Sequence, residues 1–444
     1  MSGKKIVLGV SGGIAAYKSC ELIRRLRALG HDVTVVPTAA ALTFVGAASF
    51  EALSGNPVAT DVFTDVAEVR HVSTGQQADL VMVAPATADL LARAAAGLAD
   101  DLLTATLLVT RAPVLMAPAM HSEMWSHPAT VANVATLRSR GVTVLPPAVG
   151  RLTGTDSGPG RLPEAEHLAQ LAELLLVPAD CPALPHDLAG RHIVVTAGGT
   201  REALDPVRFL GNRSSGRQGY AIALVAAARG AQVTLIAANT ALTDPPAVQV
   251  RKVVSAAELQ VAVQEAAGGA DAVVMNAAVA DFRPAVVAGH KIKKSADAPA
   301  PVLELAPNDD ILAGLVADRG SARLPVIAGF AAETGDEQTS PLEFGRQKLT
   351  RKGCDLLVVN RVDDGRAFDS DDNAAVILRS AGPGADPTAS EVPFGPKTGV
   401  AAAVCDALVD LLPADLGAGS GPSADNLSTP KAQARKENSQ GAST

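Results

Sequence analysis

Residues 207–223 read VRFLGNRSSGRQGYAIA, which places three arginines, one asparagine, two serines and three glycines just ahead of a helix-like apolar run. Small residues leave backbone N–H groups open, hydroxyls add donors and arginine adds charge, a combination suited to phosphate. Downstream, Lys291 opens KIKK. Lys348 and Lys352 stand four apart in RQKLTRK, so both ammonium groups fall on one helical face and can reach one polyphosphate. No GxxxxGKS/T motif is present, which excludes a P-loop on motif logic. A second glycine-rich stretch, GVSGGIAAYKS, offers Gly9, Ser11, Gly12 and Gly13 at a strand-to-helix turn, where N–H groups and the helix dipole make an anion site. It is not GxGxxG, and the next strand ends in Pro37-Thr38 without the acid that a dinucleotide ribose wants. A mononucleotide phosphate fits better. Each feature also has a purely structural reading: a turn feeding a helix, or a solvated lysine face.

The elements that position these residues repeat. KKIVLGVSGG…RRLRALGHDVTVVPT is a buried strand, a glycine turn, a helix stopped by Gly30 and a second strand. RHIVVTAGGT, the 207–223 stretch and LVAAARGAQVTLIAANT repeat that order, with Gly230 as the stop. Each half therefore opens a doubly wound parallel sheet, and the fold class is α/β with two such domains. Further strands are expected at DLVMVAPAT, PVLMAPAM, DAVVMNAAVAD, PVIAGFAAET and DLLVVN. The organisation is a first domain over 1–180, a proline-rich linker at 181–190, a second domain over 191–414 and a disordered tail at 415–444 that lacks aromatic residues.

Composition narrows the class. The chain has 444 residues, 48% of them hydrophobic and only 3% aromatic, which favours tight helix-on-sheet packing. A net charge of −8 argues against a nucleic-acid binder. The four cysteines, Cys20, Cys181, Cys354 and Cys405, are scattered without a CxxC pair, so neither a disulfide framework nor a zinc site is expected. No apolar run reaches the ~20 residues of a membrane span, and the N-terminus reads as a first strand rather than a signal peptide. A soluble cytoplasmic protein is expected.

The first half, over roughly residues 4–180, resembles the flavin-dependent cysteine decarboxylases, specifically the phosphopantothenoylcysteine decarboxylase half of a bifunctional coenzyme A biosynthesis enzyme. GVSGGIAAYKS, APATADLLARAAAGLADDLLT and APAMHSEMW carry the resemblance. It implies flavin mononucleotide (FMN) lined by Gly9, Ser11, Gly12, Thr38, Ala86 and Thr87, with His71 as the catalytic histidine. FMN makes chemical sense: losing carbon dioxide from a cysteinyl carboxylate leaves an unstabilised carbanion, and no side chain is an electron sink. An imidazole such as His71 can exchange a proton near neutral pH. Two positions depart from the family. His121 stands where an asparagine is usual, and a neutral imidazole can still donate one hydrogen bond to a carboxylate. In GRLTGTDSGPGRL, Gly154 stands where a proton-donating cysteine is often found, although the loop's glycines suit a mobile lid.

From Arg191 to about Pro413 the chain resembles the phosphopantothenate–cysteine ligase half of the same enzyme. TAGGTREALDPVRFLGNRSSGRQG, NAAVADFRP, HKIKK, GFAAET, RQKLTRKGCDLLVVN and FDSDDNA carry that resemblance in order. It implies transfer of a nucleotidyl group from CTP to a carboxylate, followed by attack of the cysteine amine. Arg208 and Asn212 would steady the acyl nucleotide. Asp281 would meet nucleotide or Mg2+, and Lys291 the triphosphate. Asp309, Asp310, Ile311, Leu312, Phe330, Lys348 and Lys352 match nucleotide-contacting positions. The substrates implied are 4'-phosphopantothenate, cysteine and CTP, and the assembly implied is a trimer-based homo-oligomer linked by ligase dimers. Two other classes stay open. A nicotinamide oxidoreductase is disfavoured by the glycine spacing and the missing acids. A non-catalytic, flavin-holding phosphatase regulator finds slight support in the absent loop cysteine, but a complete ligase half weighs against it.

Overall fold

The computed structural model describes residues 3–58, 75–152, 156–177, 183–293, 302–333, 339–361, 371–382 and 384–414. His71, Gly154 and the expected tail lie outside the described residues.

The first half is built on β1 (Lys5–Val10), β2 (Asp32–Pro37), β3 (Leu80–Ala86), β4 (Val114–Pro118) and β5 (Thr143–Val144). These form one parallel sheet in the order β2-β1-β3-β4-β5, the flavodoxin-like arrangement. Parallel strands are covered on both faces, which is why β3 is buried at every position and reads as a continuous apolar run. Helices Ser19–Ala28 and Ala88–Ala96 connect the strands, and Thr87 caps the second by accepting from the Leu90 N–H. A hairpin of β6 (Ala148–Arg151) and β7 (Ser157–Arg161) follows, and then the helix Ala165–Leu176.

The second half holds β8 (His192–Gly198), β9 (Arg201–Ala203), β10 (Phe209–Gly211), β11 (Gln232–Ala238) and β12 (Val248–Val253). It continues with β13 (Ala272–Met275), β14 (Phe282–Pro284), β15 (Leu305–Pro307), β16 (Val326–Glu333), β17 (Leu356–Arg361), β18 (Asp372–Arg379) and β19 (Thr388–Pro396). Eight of these make one sheet in the order β12-β11-β8-β13-β16-β17-β18-β19, parallel as far as β17 and antiparallel beyond it. Two small antiparallel pairs, β9/β10 and β14/β15, stand apart from it. The 207–223 stretch is thus more than a turn: its beginning is strand β10, and the helix Arg217–Ala228 begins only after Gly216. Gly216 has φ +79°, and a Cβ there would meet Thr240 Cγ2 at 2.6 Å, so both backbone and space require glycine.

Residues 3–412 fall within one compact unit. A single hydrophobic core runs from β1 through the helix Ala165–Leu176 to the helices Arg217–Ala228 and Lys397–Val409. The described part of the proline-rich connection is itself held: Leu188 is buried, and Asp187 receives two hydrogen bonds from the buried Arg229 at 2.9 and 2.7 Å. Among the described residues, no helix is long and apolar enough to cross a membrane.

His167, in the helix Ala165–Leu176, is 5% exposed and its Nδ1 has no described partner. Burial pushes its imidazole pKa down, against the pull of Glu166 and the Thr243 carbonyl. The folded chain therefore resists a proton that the unfolded chain accepts below its ordinary value of ~6.5, and stability falls as pH drops through that value. The melting temperature of the protein is expected to drop more between pH about 7.5 and about 5.5 than that of a His167→Gln variant. Equal drops would show that this ring does not set the acid limb.

Candidate active sites

In open α/β sheets, ligands lie beyond the carboxyl ends of strands where the strand order reverses. In the first sheet that point falls between β1 and β3. Ser11, 1% exposed, latches the two ends together: its Oγ donates to the Pro85 carbonyl at 2.8 Å and accepts from the Thr87 N–H at 2.9 Å. Thr38 follows β2 directly, with its N–H on the Val10 carbonyl at 2.9 Å and its Oγ1 accepting from the Ala41 N–H at 3.2 Å. Gly12 packs against this second turn so closely that a Cβ would meet Ala40 Cβ at 2.4 Å and Ala40 C at 2.8 Å.

These turns open on a cavity of about 1010 Å³ lined by Ser11, Gly12, Thr38, Thr87 and His121. Five of the expected first-half residues are thereby brought together. Gly9 and Ala86 are not among its lining residues: a Gly9 Cβ would meet Leu103 Cδ1 at 2.5 Å, and Ala86 is fully buried beside Pro118. His121 stands before the short helix Ser122–Ser126 with no side-chain capping bond. The β6/β7 hairpin is stitched beside it, through Met120 N–H to Gly160 O at 3.0 Å and Ser122 Oγ to Pro159 O at 2.8 Å.

Charged groups around the cavity are mostly paired. Lys18 meets Glu164 at 3.1 Å, and Arg93 bridges Asp89, Asp100 and Asp101 at 3.1, 3.0 and 2.7 Å. Burial works against the Asp101 charge, but the Thr104 N–H and the Arg93 guanidinium outweigh it and hold the carboxyl below its usual range. No described cysteine lines this cavity.

In the second sheet the order reverses between β8 and β13, and loops after both strands face each other. Thr196 Oγ1 accepts from the Asn276 and Ala277 N–H groups, each at 3.0 Å, and Thr200 Oγ1 accepts from Ala280 at 3.0 Å. Asn212 Nδ2 donates to the Val279 carbonyl at 2.9 Å, which ties the 207–223 stretch to the loop ending in Asp281. The Asp281 carbonyl receives the Asn308 N–H at 2.8 Å, next to Asp309, Asp310, Ile311 and Leu312. Asp310 caps the helix Ile311–Arg319 and is ion-paired with Lys352. Arg208 donates to the Ile292 carbonyl at 2.8 Å, which brings it beside the exposed Lys291. Arg208, Asn212, Asp281, Lys291, Asp309 to Leu312 and Lys352 thus occupy one connected rim.

Other expected residues sit differently. Ile311 is 5% exposed, so only its backbone can meet a ligand there. Phe330 lies within β16 and packs partly into the core. Lys348 is half-buried on the helix Pro341–Lys352. The Lys352 ammonium is already engaged by Asp310, so a polyphosphate would compete with that pair rather than find it free.

A model described as Flavoprotein matches residues 1–175, and one described as DNA/pantothenate metabolism flavoprotein C-terminal domain matches residues 188–412. The chain is 62% identical over 413 residues to the coenzyme A biosynthesis bifunctional protein CoaBC of Mycobacterium bovis, which covers 92% of this chain and 97% of that protein. The chain belongs to the CoaBC family. Vibrio parahaemolyticus CoaBC is 43% identical over 381 residues, covering 85% of this chain and 92% of its own length. A crystal structure of the C-terminal domain of a CoaBC protein is 34% identical over 51% of this chain and 97% of its own, with a TM-score of 0.41. In this CoaBC-family chain, the Flavoprotein match contains the 1010 Å³ cavity and the second match contains the rim around Asn212.

The first cavity fits a flavin. Its volume is in the range of ligand sites, its turns are uncharged, and Gly12 keeps the backbone clear of side chains. A Gly12→Ala variant is expected to lose flavin, since the added methyl forces the turn off Ala40 at about 1–3 kcal/mol. Flavin absorbance per chain after dialysis measures it, and undiminished content would refute the packing argument. For a divalent metal, no cluster of three or more ligating side chains exists among the described residues. The exposed carboxylate of Asp281 suits Mg2+, which is commonly held by one or two carboxylates plus substrate phosphates.

Sequence reasoning missed two residues. Asp205 holds Arg208, and Asn308 Nδ2 ties to the Ala280 carbonyl at 2.8 Å. Both stand beside proline, in LDPVR and APNDD, which are turn-initiating signals.

Proposed function

We propose that this chain catalyses two successive steps of coenzyme A biosynthesis: CTP-dependent ligation of 4'-phosphopantothenate with cysteine, and FMN-dependent decarboxylation of the product to 4'-phosphopantetheine. Residues 1–180 form the decarboxylase and residues 191–414 the ligase. The observation that supports this reading best is that 62% identity to a bifunctional relative runs through both halves, each with a built loop cluster at its switch point.

In the ligase half, the substrate carboxylate attacks the α-phosphorus of CTP and pyrophosphate leaves. The cysteine amine then attacks the acyl carbon of the acyl cytidylate, CMP departs, and an amide remains. Activation is needed because a free carboxylate would have to expel oxide. Lys291, Lys352 and Arg208 offset triphosphate charge; Asp281 would hold Mg2+, which would supply further charge neutralisation to the phosphates. Asn212 braces the loop before Asp281 and presents its amide oxygen, without charge, to the intermediate. The backbones of Asp309 to Leu312, with Phe330 and Lys348, complete the nucleotide site.

In the decarboxylase half, Ser11, Gly12, Thr38 and Thr87 would hold FMN, with Gly9 and Ala86 in the strand ends that carry these turns. When bound, the flavin supplies a two-electron sink for the thiol end of the substrate, so carbon dioxide loss need not leave a bare carbanion. His71 moves the substrate proton. His121 donates a hydrogen bond to the substrate carboxylate.

The protein works in the cytoplasm as a trimer-based assembly linked through ligase dimers. In support, Ile14 and Tyr17 at the cavity are 62% and 59% exposed, apolar surface that a neighbouring subunit would cover. The purified protein is expected to be yellow and to release FMN on denaturation. Material that stays colourless after incubation with FMN would refute the flavin half.

A further inference from the structure

The Asp205 side chain is fully buried, yet none of the catalytic assignments uses it. Its two oxygens do different work. Oδ1 accepts the Val207 and Arg208 N–H groups, each at 2.8 Å, and so shapes its own turn. Oδ2 reaches across the loops: it accepts Arg208 Nε at 2.9 Å, Arg208 Nη2 at 2.6 Å and the Ile292 N–H at 3.1 Å. Arg208 Nη2 closes the clasp on the Ile292 carbonyl at 2.8 Å. The Arg208 guanidinium, followed by the three N–H groups, holds the carboxyl far below the usual carboxylate range.

We infer that Asp205 is a positioning residue of the ligase site: through Oδ2 it fixes the Arg208 guanidinium against the backbone at Ile292, and so sets Arg208 and the adjacent Lys291 as one cationic pair facing the nucleotide triphosphate. This rests on the ligase reading above. The pair comes from segments more than eighty residues apart in sequence, as the 84-residue separation of the Arg208–Ile292 bond records. An unclasped arginine would lose its fixed fork, which makes it a poor partner for phosphate. Burial of the carboxylate keeps the clasp from being exchanged for water. The remaining half-exposure of Arg208, 47%, leaves that side chain open toward ligand.

Asp205→Asn separates the two oxygens. The amide oxygen can keep the Val207 and Arg208 N–H groups, while the amide NH2 replaces Oδ2 and confronts three donors with another donor. The full-length variant is expected to lose about tenfold to hundredfold in kcat/KM for CTP, as a displaced charge pair does. Decarboxylation of supplied phosphopantothenoylcysteine should be unchanged, which reports that the chain has folded. In an Arg208→Ala background the same change should add no more than about a twofold loss, because its effect passes through Arg208. Ile292→Pro removes the Ile292 N–H without touching the Asp205 turn, and it should reproduce the CTP defect even where Asp205→Asn yields no folded protein.

Full ligation in Asp205→Asn or in Ile292→Pro overturns the proposal, as do losses that multiply in the double variant. An Arg208→Ala variant with undiminished ligation overturns the ligase role of Arg208 and the proposal with it. Loss in Arg208→Ala beside full activity in Asp205→Asn overturns the proposal alone.

Discussion

An Asn212→Asp variant is expected to lose ligation by about two orders of magnitude while still decarboxylating supplied phosphopantothenoylcysteine. Two effects act in the same direction. The native amide donates to the Val279 carbonyl at 2.9 Å, whereas a carboxylate would set an acceptor against an acceptor and release the loop that leads to Asp281. It would also place a negative charge beside a polyanionic nucleotide, where like charges repel. Asn212→Ala removes the latch without adding charge, so its smaller loss separates the two effects. Pyrophosphate release coupled to amide formation is the measurement. A full rate in Asn212→Asp would remove Asn212 from the site.

The second large effect falls on the other reaction. His71→Asn keeps hydrogen-bonding capacity but cannot gain and lose a proton near neutral pH. Decarboxylation is expected to fall by about 10² to 10⁴, the usual worth of a positioned general base. Ligation should proceed unchanged, so phosphopantothenoylcysteine accumulates. The separation follows from the fold, because the two loop clusters belong to different sheets. If a folded His71→Asn protein lost both activities, independent sites could not be maintained.

The positions of the glycine turns and strand ends were legible because parallel strands are buried on both faces and announce themselves as apolar runs. β1, β3, β4, β13, β16 and β17 lie where those runs are. The antiparallel pair β18/β19 was not legible. DNAAVILR follows an acidic stretch, and TASEVPFGP is an edge strand with proline at 393 and 396, which propensity alone does not assign to a sheet. The β9/β10 hairpin escaped for a related reason: at three residues per strand it carries no period to detect.

The sites divide in the same way. Ser11, Gly12, Thr38, Thr87 and His121 stand at strand ends, where chain order alone brings them together. Gly9 and Ala86 belong to the same motifs but lie inside the sheet: a Cβ on Gly9 would run into Leu103, and Ala86 is paired in register with Pro118. The Lys352 pairing with Asp310 and the Asp205 bond from Ile292 link residues 42 and 87 positions apart. No spacing rule reaches that far.

Both chemistries belong to one chain. Purified protein supplied with 4'-phosphopantothenate, cysteine, CTP and Mg2+ should yield CMP, pyrophosphate and 4'-phosphopantetheine by mass spectrometry, with phosphopantothenoylcysteine as a transient. A reaction that forms neither the cysteine adduct nor its decarboxylated product, with CTP or with ATP, would contradict it.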